Sequence, residues 1–232
     1  MPLVLIPGTA TDWRMYTPQL EQFDGIIVPE WIEPLSEDEP LTSYTQRWAA
    51  CLPLPDRYAL GGVSLGGMIA QELAHHLSPA CVLLIATSTH YRDIPWLMRM
   101  QGHCVERMPR SVLRALAWLV SKIVPPFLTS NAAHRATYAA MVREFPPHLI
   151  AWHVHPAIRW RRTKPIGVPV HRIHGRKDWI IAYPNDDAAT QAVPYSGHFI
   201  SVTRAERVNH FIRNALQQTQ MLHQAYQRVT KL

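Results

Sequence analysis

The chain has 232 residues, 47% of them apolar and 17% charged, a balance that suits one packed α/β domain with an excursion and excludes a disordered chain. Its formal charge of +6 is unevenly laid. Residues 1–90 hold three arginines against ten acids, whereas residues 91–164 hold twelve Lys and Arg against Asp93, Glu106 and Glu144. Such a segment either attracts an acidic partner or forms a solvated helical surface. Cys51, Cys81 and Cys104 are too few and too scattered for a disulfide framework or a metal site. With no basic leader before "LVLIPGT", and no apolar run near the roughly 18 residues of a membrane span, the expectation is a cytoplasmic protein without a cleaved signal.

Strands are expected at Leu3–Ile6, Ile26–Val28, Tyr58–Val63, Cys81–Ala86, Val168–Ile173 and, more weakly, Ala188–Val193. Each run is short and mostly continuous in hydrophobicity, as strands covered on both faces require. Amphipathic stretches of helical length lie between the first four, around 14–22, 41–52 and 66–77, which signals βα units and a mostly parallel, doubly wound sheet. After Ala86 the rhythm stops. Residues 90–166 read as three or four helices separated by Pro109, Pro125-Pro126 and Pro146-Pro147, and a last helix spans about 201–226.

Within this frame "LGGVSLGGMIAQ" joins the third strand to a helix. Gly62-Val63-Ser64-Leu65-Gly66 fits G-x-S-x-G, in which a strained turn lifts the serine hydroxyl above the sheet edge. Gly62 and Gly66 are expected to let strand and helix approach, with Gly61 and Gly67 as packing residues. The bland reading is a glycine-rich turn with a capping serine. A serine hydroxyl needs a base, best a histidine oriented by a carboxylate. Asp178, in "HGRKD", and His198, in "SGHF", follow the last two strands and complete the order Ser, Asp, His. Asp93, Asp186 and Asp187 are the rival acids. For an oxyanion, the Leu65 N–H and the Thr9 N–H in the glycine turn after the first strand are the candidate donors. No G-x-G-x-x-G or Walker pattern accompanies that turn, and nucleic-acid motifs are absent.

These residues resemble the α/β-hydrolase superfamily, and within it the small serine esterases with a helical cap. "LVLIPGT" resembles the oxyanion strand and loop, "GGVSLGG" the nucleophile elbow, "LLIATS" the next strand, and "HGRKD" and "SGHF" the acid and histidine loops, so the likeness spans nearly the whole chain. The insertion length and "LLIATSTHYRD" are most similar to the esterases of pimeloyl-carrier-protein methyl esters. The resemblance implies an α/β-hydrolase core formed by residues 1–89 and 167–232 with a cap at 90–166. Three departures stand out. Pro7-Gly8 replaces His-Gly, the first antiparallel hairpin has no counterpart, and the 20 positions between Asp178 and His198 leave little room for a helix. A trimmed sheet of about six strands follows.

The function implied is hydrolysis of an ester or thioester with an apolar acyl group through Ser64, His198 and Asp178, with no metal or cofactor. Trp13, Trp96, Trp118, Phe127, Trp152, Trp179 and Phe199 are the candidate substrate-binding residues, and Met98 adds to the apolar surface. An acidic carrier protein is a candidate partner for Arg107, Arg110, Arg114, Arg159, Arg161 and Arg162. The same three site residues also serve C–C hydrolysis, acyl transfer, perhydrolysis or lyase chemistry, and a non-enzymatic receptor on the same fold is the remaining alternative.

Overall fold

Alternation along the strands builds the two cores. The computed structural model describes residues 1–162, 164–185 and 187–229. In β1 (Leu3–Ile6), Leu3 and Leu5 face one apolar cluster while Val4 and Ile6 face another, because successive strand side chains point to opposite faces. Both sets are buried, which is why the run reads as continuously apolar.

The sheet continues through β2 (Ile26–Ile27), β3 (Ala59–Val63), β4 (Val82–Ile85), β5 (Val170–Gly175) and β6 (Gln191–Val193), in the order β2-β1-β3-β4-β5-β6. The expected six strands are present, and every pairing is parallel. β5 begins two residues later than expected, just past Pro169, which has no N–H to add to a ladder.

On one face, α10 (Ala205–Val229) buries Val208, Phe211, Ile212 and Ala215 against Leu3, Leu5, Ile85 and Ile173. On the other, α2 (Leu41–Ala49) and α3 (Leu65–Leu73) bring Tyr44, Trp48, Met68 and Ile69 onto Val4, Ile6, Leu60 and Leu84. Each such fully buried aliphatic side chain contributes about 1.5–3 kcal/mol. A 3₁₀ turn at Trp13–Tyr16 leads into α1 (Thr17–Leu20), and α9 (Ile200–Thr203) precedes α10.

Among the described residues five helices, not three or four, connect β4 to β5: α4 (Trp96–Val105), α5 (Arg110–Ile123), α6 (Pro125–Leu128), α7 (Ala132–Glu144) and α8 (Pro147–Ala157). The prolines read as stops are largely starts. Pro125 and Pro147 occupy first helical positions, where a missing N–H costs nothing and the fixed φ is already helical. This segment is fastened to both cores. Tyr138 and Met141 of α7 enter the first core, Glu144 at the end of the same helix pairs with Arg14 at 2.6 Å on the surface, and Trp152 of α8 enters the second core.

Strand order reverses direction at β1: β2 lies on one side of it and β3 on the other. The loops leaving β1 and β3 therefore diverge across a crevice at the carboxyl edge, where open α/β sheets gather ligands. Among the described residues no helix joins β5 to β6, as the short spacing led one to expect. A cavity of about 390 Å³ lined by Leu84, Arg172 and Asp187 opens on that side, and none of Ser64, Asp178 or His198 lines it.

Candidate active site

Ser64 leaves β3 with φ 56° and ψ −123°, in the left-handed half of backbone space that a residue with a Cβ avoids. Such a position costs of order 1–3 kcal/mol and persists only when its surroundings impose it. Here they do. Its N–H donates to the Ile85 carbonyl at 3.1 Å, and its carbonyl accepts the Gly67 N–H at 3.0 Å and the Thr87 hydroxyl at 2.5 Å. A Cβ on Gly62 would strike the Gly66 backbone, and one on Gly66 would strike the Ile6 and Pro7 carbonyls. These two glycines are what let the helix start directly over the strands. Gly61 and Gly67 pack against Leu83 and Thr87.

Asp178 and His198 come from the loops after β5 and β6, and Gly175 lets these loops touch, since a Cβ there would strike the Ser196 and Gly197 carbonyls. Both side chains are buried. His198 Nδ1 lies 2.8 Å from Asp178 Oδ2. His174 Nε2 lies 3.0 Å from the same oxygen, and Asp178 Oδ1 accepts the N–H groups of Ile180 and Ile181 at 2.9 Å each. Burial alone would raise the Asp178 pKa. The hydrogen bonds from His174 and His198 overcome that and, with the His198 charge and the Ile181 N–H, hold the carboxyl well below the ordinary range.

The loop after β1 lies against Ser64: a Cβ on Gly8 would sit 3.6 Å from the Ser64 Cβ. Its amides can be accounted for in turn. Gly8 N–H points to Met15 Sδ at 3.1 Å, Ala10 N–H donates to His153 Nδ1 at 3.1 Å, and Thr11 N–H donates to the Gly8 carbonyl at 3.3 Å. Among the described residues the Thr9 and Asp12 N–H groups of this loop have no acceptor, and of the two Thr9 is the neighbour of Gly8, which lies against Ser64. Leu65, at the first position of α3, likewise has no intrahelical acceptor for its N–H. The two candidate oxyanion donors are thus unspent, one in each loop.

Ser64, Asp178 and His198 share the carboxyl edge of the sheet. Asp178 and His198 are joined by a hydrogen bond, whereas the Ser64 hydroxyl makes none among the described residues. Contacts of this kind commonly tighten only when substrate binds. The rival acids are engaged elsewhere: Asp93 accepts the Thr89 and His90 N–H groups, and Asp187 accepts the Ala189 N–H and Thr190 hydroxyl. Asp186 lies outside the described residues.

Of the candidate substrate-binding residues, Trp13, Trp96, Trp118, Phe127, Trp179 and Phe199 are exposed. Trp152 is not available to a substrate. It is 1% exposed, lies 4.2 Å from the Tyr44 ring and donates to the Glu39 carbonyl at 3.2 Å, so it is a packing residue. Met98 is partly buried against the same core. Among the described residues three of the six arginines pair with an acid: Arg159 and Arg107 meet Glu106 at 2.6 and 3.1 Å, and Arg110 lies 3.6 Å from Glu37. Sequence reading did not single out His174, His153 or Thr87. Only His174 carried a signal, standing four residues before the acid at the end of the same strand.

Among the described residues no group of three His, Cys, Asp or Glu side chains is placed to hold a metal ion, and no helix is long and apolar enough to cross a membrane. No family model matches the chain, and no curated protein matches it. Solved structures do. A thermophilic esterase from Thermogutta terrifontis is 19% identical with a TM-score of 0.72, over 94% of this chain and 90% of that one. The enol-lactonase from Burkholderia xenovorans LB400 is 17% identical with a TM-score of 0.69, over 93% and 91%. MenH from S. aureus is 18% identical with a TM-score of 0.63, over 95% and 94%. The chain therefore has the α/β-hydrolase fold. Its sheet is a six-strand, all-parallel form of that fold, with Ser64 at the turn after β3.

Proposed function

We propose that the chain is a serine hydrolase that cleaves a carboxylic ester, or a thioester, of an apolar acyl group. The observation that carries this reading is the buried Asp178–His198 pair on the same sheet edge as the strained Ser64 turn. With its Nδ1–H held by Asp178, His198 leaves Nε2 as the basic nitrogen. Ser64 Oγ attacks the acyl carbon and its proton passes to His198 Nε2. The Thr9 and Leu65 N–H groups receive the oxyanion. As the carbonyl re-forms, the bond to the leaving oxygen or sulfur breaks and His198 returns the proton to it. Water then repeats the sequence on the acyl-enzyme, giving the acid and free Ser64.

In this reading residues 1–89 and 167–232 form the core, and residues 90–166 are a cap over the carboxyl edge. The exposed aromatic side chains of Trp13, Trp179 and Phe199 beside the site, with Trp96, Trp118 and Phe127 on the cap, favour an apolar acyl group over a sugar or phosphate. Arg114, Arg161 and Arg162 are the arginines left to an acidic carrier, so a small-molecule ester is the primary substrate class.

A panel of p-nitrophenyl and thioester substrates of increasing acyl length tests the proposal. Continuous turnover that rises from the shortest acyl chain and is lost in Ser64→Ala is expected. Stoichiometric binding without turnover would instead indicate a receptor, and turnover that survives Ser64→Ala would remove the serine mechanism.

A further inference from the structure

Several hydrogen bonds hold the loop after β1, and one of them comes from 143 residues away. Besides the amide contacts, the Thr11 hydroxyl donates to the Gly8 carbonyl at 2.8 Å and the Trp31 indole N–H donates to the Thr11 carbonyl at 2.8 Å. The distant contact is to Ala10. This alanine sits at φ 55°, a left-handed position that a residue with a Cβ adopts only when held there. Its N–H is held by His153 Nδ1, on α8.

His153 is an unusual residue to place there for packing alone. It is 0% exposed, and its ring lies 4.2 Å from Trp31, 5.2 Å from Phe145 and 5.5 Å from Trp152. Because Nδ1 accepts, Nε2 carries the ring proton, and Nε2 is buried without a hydrogen-bond partner. An aromatic or aliphatic side chain would fill this cage without burying an unpaired N–H. Burial also lowers the His153 pKa to about 3, with the charge of His148 adding to it, so the ring stays a neutral acceptor at ordinary pH.

We propose that His153 is a positioning residue for the reaction at Ser64: by accepting the Ala10 N–H it fixes the loop after β1 so that the Thr9 N–H, which has no acceptor among the described residues, faces the oxyanion. This rests on the serine hydrolase reading. It makes the helical segment part of the catalytic geometry, since α8 holds the loop that supplies one of the two donors. Trp31 couples the two, its ring packed at a tilt against His153 while its N–H donates to the Thr11 carbonyl.

The test compares His153→Asn with His153→Leu, two side chains of nearly equal size of which only asparagine offers an acceptor near the Nδ1 position. Donor misplacement of this kind lowers kcat on a p-nitrophenyl ester by about 10²-fold in the leucine variant, with KM within about threefold. An alkylboronic acid, which resembles the tetrahedral state, weakens by the same factor as kcat. The product carboxylate, a ground-state ligand, holds its inhibition constant within about threefold. The asparagine variant stays within about fivefold of wild type in kcat.

Equal kcat in the two variants, or a loss confined to KM, overturns the proposal. If the leucine variant does not fold, the folded asparagine variant decides, and a kcat loss beyond about tenfold overturns the role. Amide exchange at Ala10 in the wild-type protein reads the contact without any substrate. Slow exchange is expected, and exchange at the rate of an open loop overturns the contact. Absence of ester turnover in wild type would refute the hydrolase reading and leave the exchange result standing.

Discussion

Asp178→Asn perturbs the buried carboxylate at the point where four donors converge. Ile180 and Ile181 N–H groups meet one oxygen, and the rings of His174 and His198 meet the other. Asparagine has one oxygen and one NH₂: turned to the backbone, the NH₂ leaves the Ile180 and Ile181 N–H groups unpaired, and turned to the rings it displaces the N–H groups of His198 and of His174, whose Nε2 also lies 3.1 Å from the Ile181 carbonyl. With one or two buried donors left unsatisfied at about 1–3 kcal/mol each, the loss of folding stability is about 1–6 kcal/mol near pH 7.

If the NH₂ faces the histidines, His198 must take the other tautomer, with Nδ1 accepting and Nε2 protonated. It can then no longer remove the Ser64 proton, and kcat falls by about 10⁴-fold, the magnitude known for such a change in another Ser-His-Asp enzyme. The stability loss also carries a pH signature. The folded carboxyl lies below its ordinary value, so its contribution is fully present above the unfolded pKa of about 3.9 and is lost as pH falls below it. Urea denaturation of wild type and variant should give a gap that is constant from about pH 8 to 5 and closes below about pH 4. A gap that does not change down to pH 3, or a variant within about tenfold of wild-type turnover, would refute the reasoning.

Two further perturbations separate positions that look alike in sequence. Gly66→Ala places a Cβ on the Ile6 and Pro7 carbonyls, so α3 must shift off the sheet; a fall of several degrees in Tm together with loss of turnover is expected, and an active variant of unchanged Tm would contradict the close crossing. Trp152→Ala should cost about 3–5 kcal/mol as a buried aromatic truncation, whereas Trp118→Ala, at an exposed position, should stay within about 0.5 kcal/mol; thermal melts that reverse this order would contradict the assignment of Trp152 to the core.

The central strands β1, β3 and β4 were legible because each is buried along its whole length, so hydrophobicity alone marked their place, whereas the less buried β2, β5 and β6 gave weaker runs whose ends the ladder moved, as at Pro169. The glycines around Ser64 were legible because a close crossing tolerates no Cβ. The helices between β4 and β5 were harder. Proline ends some helices and opens others, and the first-turn role of Pro125 and Pro147 depends on the backbone entering it. Trp152 was open to correction from the sequence itself. Leu149, Trp152, His153 and Pro156 are all buried at helical spacing, the pattern of a core face and not of a substrate surface. His153 joining Ala10 was not legible at all, since two segments 143 positions apart meet only through the tertiary fold.

The most direct test of the central claim is a fluorophosphonate reaction followed by peptide mass spectrometry. One adduct is expected, on Ser64, formed in wild type, slowed by orders of magnitude in His198→Ala and absent in Ser64→Ala. An adduct on another residue, or labelling that persists in Ser64→Ala, would contradict it.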